Sequence, residues 1–339
     1  MLPAALELGV RVQGVATSSQ TIALTSDRFA AVEVDAGGNG SVDEGWGRYV
    51  AAVAGELAAL GRRPVGFEGR VSADLPIGSG LSSSAALEVS LALALCTTAG
   101  FDLEPLALAR AAQAAEHRAV GVPCGLMDQA ASVLGRRDHA VLLDTGTLEH
   151  RLVALPHSVA IVVVDSGAPR LLSDSRYAER RLELERAIGA MSGRPPSALS
   201  LAELETAADE AGLDDVSRRR LRHAVSENAR VRAVVDLLES SRPDWQALGA
   251  LFRKAHESLR LDFEVSTPQL DLLVELAYEA GAVAARMTGA GFGGSIVALC
   301  ERERASSIAH GVRDAYLERT GHEATTYVTA AADGARELE

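Results

Sequence analysis

Cysteine, lysine and long apolar runs are scarce in this chain of 339 residues. Its three cysteines, Cys96, Cys124 and Cys300, are far apart and lack metal-ligand spacing, so we predict reduced thiols rather than a disulfide framework or a zinc site. No apolar run approaches the ~18 residues of a membrane span, and the first residues lack the pattern of a signal or transit peptide. We therefore expect a cytoplasmic protein without a membrane partner.

Positive charge is also in short supply. The net charge is −13, and Lys254 is the only lysine among 33 basic residues. Because nucleic acids are bound largely by basic side chains that displace counterions, this balance argues against a nucleic-acid partner. The length suggests about two domains with a substantial core. These features fit a metabolic enzyme acting on a small molecule, which we expect to be a monomer.

Hydrophobic patterning predicts a mixture of strands and helices. Strands are predicted as three short runs within residues 10–34 and near residues 66–73, 159–164, 283–287 and 295–300. Helices are predicted near residues 46–60, 85–98 and 106–119, over most of 175–259, and from Pro268 up to Gly281. The run at residues 159–164 is continuously apolar, which is typical of a strand buried on both faces.

A glycine- and serine-rich loop at residues 76–84 stands between a predicted strand and a predicted helix. Glycines let the backbone approach a phosphate, and the free N–H groups and dipole of a helix start favour an anion. Ser82, Ser83 and Ser84 add hydroxyl groups that could also serve Mg²⁺. The alternative is an ordinary connection with serine caps.

Three other sequence motifs are excluded because this loop lacks residues that they require. A Walker-type loop needs a lysine before its serine or threonine, and none is present. A Rossmann fingerprint would need glycine where Ser83 stands. A serine-hydrolase elbow needs glycines two positions before and after one of the three serines, and none of them has both.

Taken together, five segments resemble the GHMP kinases, and galactokinases most. Residues 76–86 resemble the second GHMP signature, which wraps the ATP phosphates, and residues 287–294 resemble the third. Residues 121–129 resemble the galactokinase segment that carries the catalytic aspartate, and residues 177–181 and 256–260 also resemble galactokinases. The resemblance spans nearly the whole chain.

This resemblance implies an α/β (α+β) fold of two domains. The N-terminal domain, residues 1–155, would be the ATP-binding domain, similar to ribosomal protein S5, and residues 156–339 would form a ferredoxin-like α+β domain, with ATP and Mg²⁺ between them. The implied reaction is transfer of the γ-phosphoryl group of ATP to the anomeric hydroxyl of α-D-galactose, giving galactose 1-phosphate in the Leloir pathway. Alternatives are a kinase for arabinose, a uronic acid or N-acetylgalactosamine, and an impaired ATP and sugar sensor.

The resemblance also assigns site residues. Asp128 would be the general base, or the anion that orients the sugar hydroxyl, because phosphoryl transfer asks mainly for positioning and charge stabilisation. Sugar contacts are implied for Gly125, Asp128, Tyr177 and Gly291, and Mg²⁺ ligands for Ser83, Ser84 and Glu116. The ATP phosphates would be bound by Pro76, Gly78, Ser79, Gly80, Leu81, Ser82, Ser83, Ser84 and Ala85.

Each of these residues also has a purely structural interpretation. Asp128, predicted to lie in a loop of small residues, could cap the following helix. Glu116 could be a solvated helix residue, and Tyr177, predicted at a helix start, could be packing surface. The second glycine-rich loop, residues 289–294, could be a simple hairpin. It contains Gly-x-Gly-x-x-Gly, but a strand rather than a helix is predicted after it, which argues against a dinucleotide site.

One galactokinase signature is not matched. Galactokinases carry a first signature, with the catalytic arginine and most sugar contacts, before a segment that resembles residues 2–6 here. Met1 falls where the family commonly has valine. A GTG valine codon in a GC-rich gene can be read as a start, so we expect a misassigned start codon, and we expect residues 1–339 alone to show little or no activity.

Overall fold

The computed structural model describes residues 1–40, 42, 45–76, 78, 80–121, 124–168 and 173–338. The chain divides into two compact units. The N-terminal unit comprises Leu2–Ile77, Ser82–Leu152 and Ala331–Glu339, and the C-terminal unit comprises Val153–Ala330 with Met1 and Gly78–Leu81. The division predicted at residue 155 assigned residues 331–339 to the C-terminal domain. The structure differs because residues 331–335 form backbone hydrogen bonds with the N-terminal unit, such as Ala332 N–H to the Ala5 carbonyl at 2.9 Å.

A four-stranded mixed sheet and a layer of helices form the N-terminal unit. Its strands are β1 (Val10–Thr17), β2 (Thr21–Ser26), β3 (Val32–Asp35) and β4 (Gly66–Ala73), and a hairpin of β5 (His139–Leu143) and β6 (His150–Ala154) lies at its border. Its helices are α1 (Gly47–Ala59), α2 (Ser83–Ala99), α3 (Pro105–Val120) and α4 (Met127–Leu134). The sheet order is β1-β4-β2-β3, with β4 antiparallel to β1 and parallel to β2.

Helices α1 and α2 pack on this sheet, and α3 packs against α1 and α2, mainly through alanine, valine and leucine side chains. Ile22, Leu24 and Phe67 from the sheet join Val53 and Leu95 from α1 and α2 in one buried cluster. Small residues let the helices approach closely, and burial of apolar surface stabilises the unit by about 25 cal/mol per Å². This cluster holds the start of α2 and the end of α3 in place, and a second cluster that includes Ala109, Leu126 and Ala130 packs the start of α4. The candidate site lies at these helix ends.

A ferredoxin-like sheet organises the C-terminal unit. Its strands are β7 (Val159–Asp165), β8 (Ala284–Met287), β9 (Ser295–Glu301) and β10 (Thr325–Thr329), in the antiparallel order β10-β7-β9-β8. This places β7 inside the sheet, as its continuous apolar run predicted. Helical connections from β7 to β8 and from β9 to β10 complete the β-α-β-β-α-β arrangement.

The helices of this unit follow most of the predicted boundaries. They are α5 (Ser173–Ala190), α6 (Leu204–Glu210), α7 (Asp215–Glu239), α8 (Trp245–Leu261), α9 (Pro268–Glu279) and α10 (Ala305–Thr320). Thr267 caps α9, accepting a hydrogen bond from the Leu270 N–H at 3.3 Å, and Pro268 is the first helical residue. In the described ranges, no helix is both long and apolar enough to cross a membrane.

Candidate active site

The start of α2 lies at the centre of the candidate site. Ser82 precedes the helix with φ 57° and ψ 46°, a left-handed conformation that non-glycine residues rarely adopt. Its carbonyl accepts the first helical hydrogen bond, from the Ala86 N–H at 3.0 Å. The N–H groups of Ser83, Ser84 and Ala85 therefore have no acceptor within the helix, and no acidic residue occupies the first turn. This helix start suits an anion.

The preceding loop contains two glycines with positive φ. Gly78 and Gly80 have φ values of 78° and 85°, which glycine adopts without strain. Pro76 and Leu81 are partly buried, and Ala85 is buried. Ser79, also predicted to bind ATP, lies outside the described residues.

Glu116 is held by three side chains at the end of α3. The Ser84 hydroxyl donates to Glu116 Oε1 at 2.6 Å, while the Gln129 amide donates to Oε2 at 2.6 Å. The Cys124 thiol lies 3.1 Å from the same Oε2. Glu116 is therefore part of a network that joins α2, α3 and α4, rather than a solvated surface residue. Its Oε1 faces the serine.

The donor set around Glu116 fits Mg²⁺. Ser84 Oγ and Glu116 Oε1 are hard oxygen ligands close enough to serve one cation. No group of three or more His, Cys, Asp or Glu side chains within the described part of the chain could hold a metal ion. Mg²⁺ suits such a sparse set, because it commonly takes one or two protein ligands and fills its octahedron with substrate phosphates and water. Ser83, the other predicted ligand, is the first residue of α2.

Asp128 lies in the first turn of α4, not in a loop as predicted. Residues 127–134 can form this helix because Ala130 is buried in a cluster with Ala109 and Val141. The residue that caps α4 is Leu126, so Asp128 is not the helix cap either. Burial raises the pKa of Asp128, a hydrogen bond from Ser82 lowers it, and the charge of Glu116 raises it, with a net increase.

Two buried polar residues, Glu88 and Gln129, join the network around Glu116 and are not among the predicted site residues. Glu88 and Gln129 are both fully buried, and the Gln129 amide lies 3.5 Å from Glu88 Oε2 as well as bonding to Glu116. Burial, followed by the charge of Glu116, raises the pKa of Glu88 to about 9. Glu88 is therefore protonated at neutral pH. The i, i+4 spacing of Ser84 and Glu88 places them on one face of α2, but the sequence alone does not show that this face is buried.

The segment before α4 is tied to α3. The Gln113 amide donates to the Cys124 carbonyl at 3.0 Å, and the Cys124 N–H donates to His117 Nε2 at 3.0 Å. Gly125 follows and is exposed, and a Cβ placed on it would meet no atom within 4 Å. The fold itself therefore does not require glycine at this position.

The two remaining predicted sugar contacts, Tyr177 and Gly291, belong to the C-terminal unit. Tyr177 lies in the second turn of α5 rather than at its start, and its partly buried ring packs against the core of that unit. Gly291 has φ 84°, and a Cβ there would be 2.2 Å from the Val265 carbonyl oxygen. Tyr177 therefore has a packing role and Gly291 is required by backbone geometry, whether or not a sugar is bound. Their contact with a sugar stays a prediction.

Comparison with known proteins identifies the family of this chain. Residues 48–136 match the family described as GHMP kinases N terminal domain, and residues 231–318 match GHMP kinases C terminal. The galactokinase of Roseiflexus sp. is 41% identical over 85% of this chain and 74% of its own length. That of Pyrococcus furiosus is 33% identical over 98% and 92%. The chain belongs to the galactokinase family of GHMP kinases.

A solved galactokinase supports the family assignment for the fold as a whole. The structure of Lactococcus lactis galactokinase, determined in complex with galactose, has a TM-score of 0.92 and 31% identity, and the match covers 99% of this chain and 88% of the other. The N-terminal family match contains every residue of the Ser82, Ser84, Glu116, Asp128 group. The predicted GHMP kinase fold is thereby confirmed.

Proposed function

We propose that this galactokinase-family protein transfers the γ-phosphoryl group of ATP, with Mg²⁺, to the anomeric hydroxyl of α-D-galactose. The proposal rests on the observation that serine side chains at one helix start form hydrogen bonds with two acidic side chains. Ser82 hydrogen-bonds Asp128, and Ser84 hydrogen-bonds Glu116 at 2.6 Å. A candidate base and a candidate metal ligand therefore flank a helix start that suits phosphate. Galactose is the acceptor because the relatives that cover most of the chain are galactokinases.

The α2 start would bind the phosphates of ATP through the N–H groups of Ser83, Ser84 and Ala85. These dipoles are fixed before the substrate arrives, so they stabilise developing charge without reorganisation. Mg²⁺, when bound, would neutralise charge on the phosphate oxygens. Ser84 and Glu116 would hold it, and the Gln129 hydrogen bond to Oε2 would keep Oε1 of Glu116 turned toward Ser84.

Asp128 would orient the anomeric hydroxyl and accept its proton. The sugar oxygen forms a bond to the γ-phosphorus, the bond from that phosphorus to the β,γ-bridging oxygen breaks, and ADP leaves. The proton passes to Asp128 and then to solvent. A pKa raised above the ordinary carboxyl value makes Asp128 a better proton acceptor, although the loose transition state gives positioning the larger share.

Sugar-dependent ADP release tests the function. Two forms are assayed in parallel, residues 1–339 and the product that includes the codons upstream of Met1, each with galactose, arabinose, galacturonic acid and N-acetylgalactosamine. We expect galactose to give the highest kcat/KM in the active form. If another of these sugars gives the highest kcat/KM, that sugar replaces galactose as the proposed substrate. If both forms bind ATP and neither phosphorylates any sugar, the protein is not a galactokinase.

A further inference from the structure

A buried arginine connects three parts of the C-terminal unit. Arg220, on α7, is 1% exposed. Its Nε donates to Glu183 Oε2 on α5 at 2.7 Å, its Nη1 to the Asp262 carbonyl at 2.6 Å, and its Nη2 to Glu264 Oε2 at 2.5 Å. The planar guanidinium thus has a partner in each of three directions. Such a group fixes the relative positions of its partners more strictly than an apolar contact would.

One partner, Glu264, leads directly to the second glycine-rich loop, residues 289–294. Glu264 has φ 56°, a left-handed conformation, and is followed by the buried Val265. The Val265 carbonyl accepts a hydrogen bond from the Phe292 N–H at 2.8 Å, and it lies so close to Gly291 that a Cβ there would clash. The loop therefore rests on the backbone of the residue next to Glu264.

The other carboxylate partner of Arg220, Glu183, lies on α5. Glu183 follows Tyr177 by six residues on the same helix, and it also pairs with Arg180 at 3.1 Å. At the start of α5, the Arg176 guanidinium lies 5.7 Å from the centre of the Phe292 ring, within the range of a cation–π contact. Helix α5 and the glycine-rich loop are therefore joined twice, through Arg220 and through Arg176.

Electrostatics support a permanent ion pair at Glu264. Burial alone would raise the pKa of this carboxyl, but the hydrogen bond and charge of Arg220, with smaller contributions from Arg219 and Arg180, outweigh burial and lower it. Glu264 is therefore ionised at neutral pH. The Glu264 side chain is 40% exposed, so its removal perturbs the core less than removal of Arg220 would.

We propose that Arg220 and Glu264 are positioning residues for the sugar site. They fix residues 262–265, and through Val265 the loop of residues 289–294, relative to α5 with Tyr177. The inference rests on the proposed function, in which Tyr177 and Gly291 contact the sugar. Neither positioning residue touches the reacting atoms. Loss of their ion pair loosens the loop and weakens sugar binding, while the α2 start keeps its affinity for ATP.

Three variants of the active form test this proposal, namely Glu264→Ala, Glu264→Gln and the control Glu279→Ala. Glu279 is also an exposed carboxylate of the C-terminal unit, paired with Arg319 at 2.8 Å. We expect Glu264→Ala to raise the KM for galactose by about 10- to 100-fold and to change the KM for ATP by less than about twofold. Glu264→Gln keeps an oxygen that accepts from Arg220, so it should recover most of the loss.

Hydrogen exchange gives a readout without turnover. The Phe292 amide, bonded to the Val265 carbonyl, should exchange faster in Glu264→Ala and at the wild-type rate in Glu279→Ala. Unchanged exchange in Glu264→Ala, or KM values for both substrates that rise together, would overturn the proposal. If the parent protein does not use galactose, the proposed function fails, and the exchange rate of Phe292 still decides whether Glu264 positions the loop.

Discussion

Asp128 and Glu88 are acids of the same cluster with different surroundings. Asp128 is partly exposed and accepts a hydrogen bond from Ser82, whereas Glu88 is fully buried and has an Oε1 with no hydrogen-bond partner among the described residues. An ionised carboxylate in such a buried position would be strongly destabilising, so Glu88 keeps its proton. The partly exposed Asp128 is therefore the one proposed to accept a proton, and the protonated Glu88 is a neutral buried group beside it.

Asp128→Asn should lower kcat by about 10²- to 10⁴-fold, because it removes the proton acceptor and keeps the side-chain volume. The KM for ATP should change by less than about threefold, since Asp128 is proposed to contact the acceptor and the α2 start to bind the phosphates. Steady-state kinetics measure both values. Asp102→Asn, an exposed loop substitution, is the control and should behave like the parent. A kcat within threefold of the parent would remove Asp128 from the mechanism.

Glu88→Gln should change how stability depends on pH. In the parent, the unfolded chain releases this proton near pH 4.5, whereas the folded protein holds it up to about pH 9. Between these values the folded state binds more protons, so this group's contribution to stability falls as pH rises, by up to about 1.4 kcal/mol per pH unit. Glutamine has no such contribution.

Urea unfolding of the parent and of Glu88→Gln, measured from pH 5 to pH 9, tests this sign. The free energy of unfolding of the variant should rise relative to that of the parent as the pH increases. Other titrating groups are common to both proteins and cancel in the difference. Parallel curves would show that Glu88 is ionised in the folded protein.

At the scale of elements, the start of α2 combines the backbone proposed to bind phosphate with one side chain, Ser84, proposed to bind Mg²⁺. Ser84→Ala removes the hydroxyl that bonds to Glu116 and leaves the backbone N–H groups in place. The half-saturating Mg²⁺ concentration should therefore rise several-fold, with a smaller effect at saturating Mg²⁺. Ser90→Ala on the same helix is the control, because Ser90 bonds only to the Val10 carbonyl among the contacts described. Identical magnesium titrations would refute the ligand assignment.

The two predicted sugar-contacting glycines should respond differently to alanine. Gly291→Ala forces a Cβ against the Val265 carbonyl at a positive φ, so it should destabilise the fold by about 1–3 kcal/mol. Gly125→Ala meets no neighbour within 4 Å, so stability should stay within about 0.5 kcal/mol while the KM for galactose rises. Thermal unfolding and steady-state kinetics separate the two outcomes. An unchanged galactose KM in Gly125→Ala would argue against a sugar contact there.

Elements with strong local signals were predictable from the sequence. Strand β7 and the proline-started helices α3 and α9 lie where the apolar run of residues 159–164, Pro105 and Thr267-Pro268 placed them. Helix α4 was missed because it has no capping side chain and its stability comes from burial against α3 and β5. Glu88 was not predictable as a site residue either. An acidic residue within a helix is usually exposed, and only tertiary packing shows that this one is buried.

At the scale of the whole molecule, residues 331–335 complete the N-terminal unit. The Ala332 N–H bonds to the Ala5 carbonyl, Gly334 N–H to the Gly135 carbonyl at 2.8 Å, and Arg137 N–H to the Asp333 carboxylate at 3.0 Å. A single domain boundary along the sequence cannot assign residues 331–338 to the N-terminal unit. Nothing in the composition of these residues distinguishes them from an ordinary C-terminal tail.

Deletion of residues 331–339 should therefore destabilise the N-terminal unit. Each lost hydrogen bond contributes about 0.5–1.5 kcal/mol, so a fall in Tm of several degrees is expected. Deletion of residues 336–339 is the control, because Arg336, Glu337 and Leu338 are exposed. Differential scanning calorimetry of both truncations and the parent gives the comparison. Equal melting temperatures would show that the return segment adds no stability.

The same return has a consequence for synthesis on the ribosome. Residues 153–330 stand in the sequence between the main part of the N-terminal unit and its last segment. At about 5–20 residues per second, roughly 10–35 s pass between translation of these two parts. During that interval the nascent N-terminal unit lacks the segment that pairs with Ala5 and Gly135, so the unit that carries Asp128 begins to fold first and is completed last.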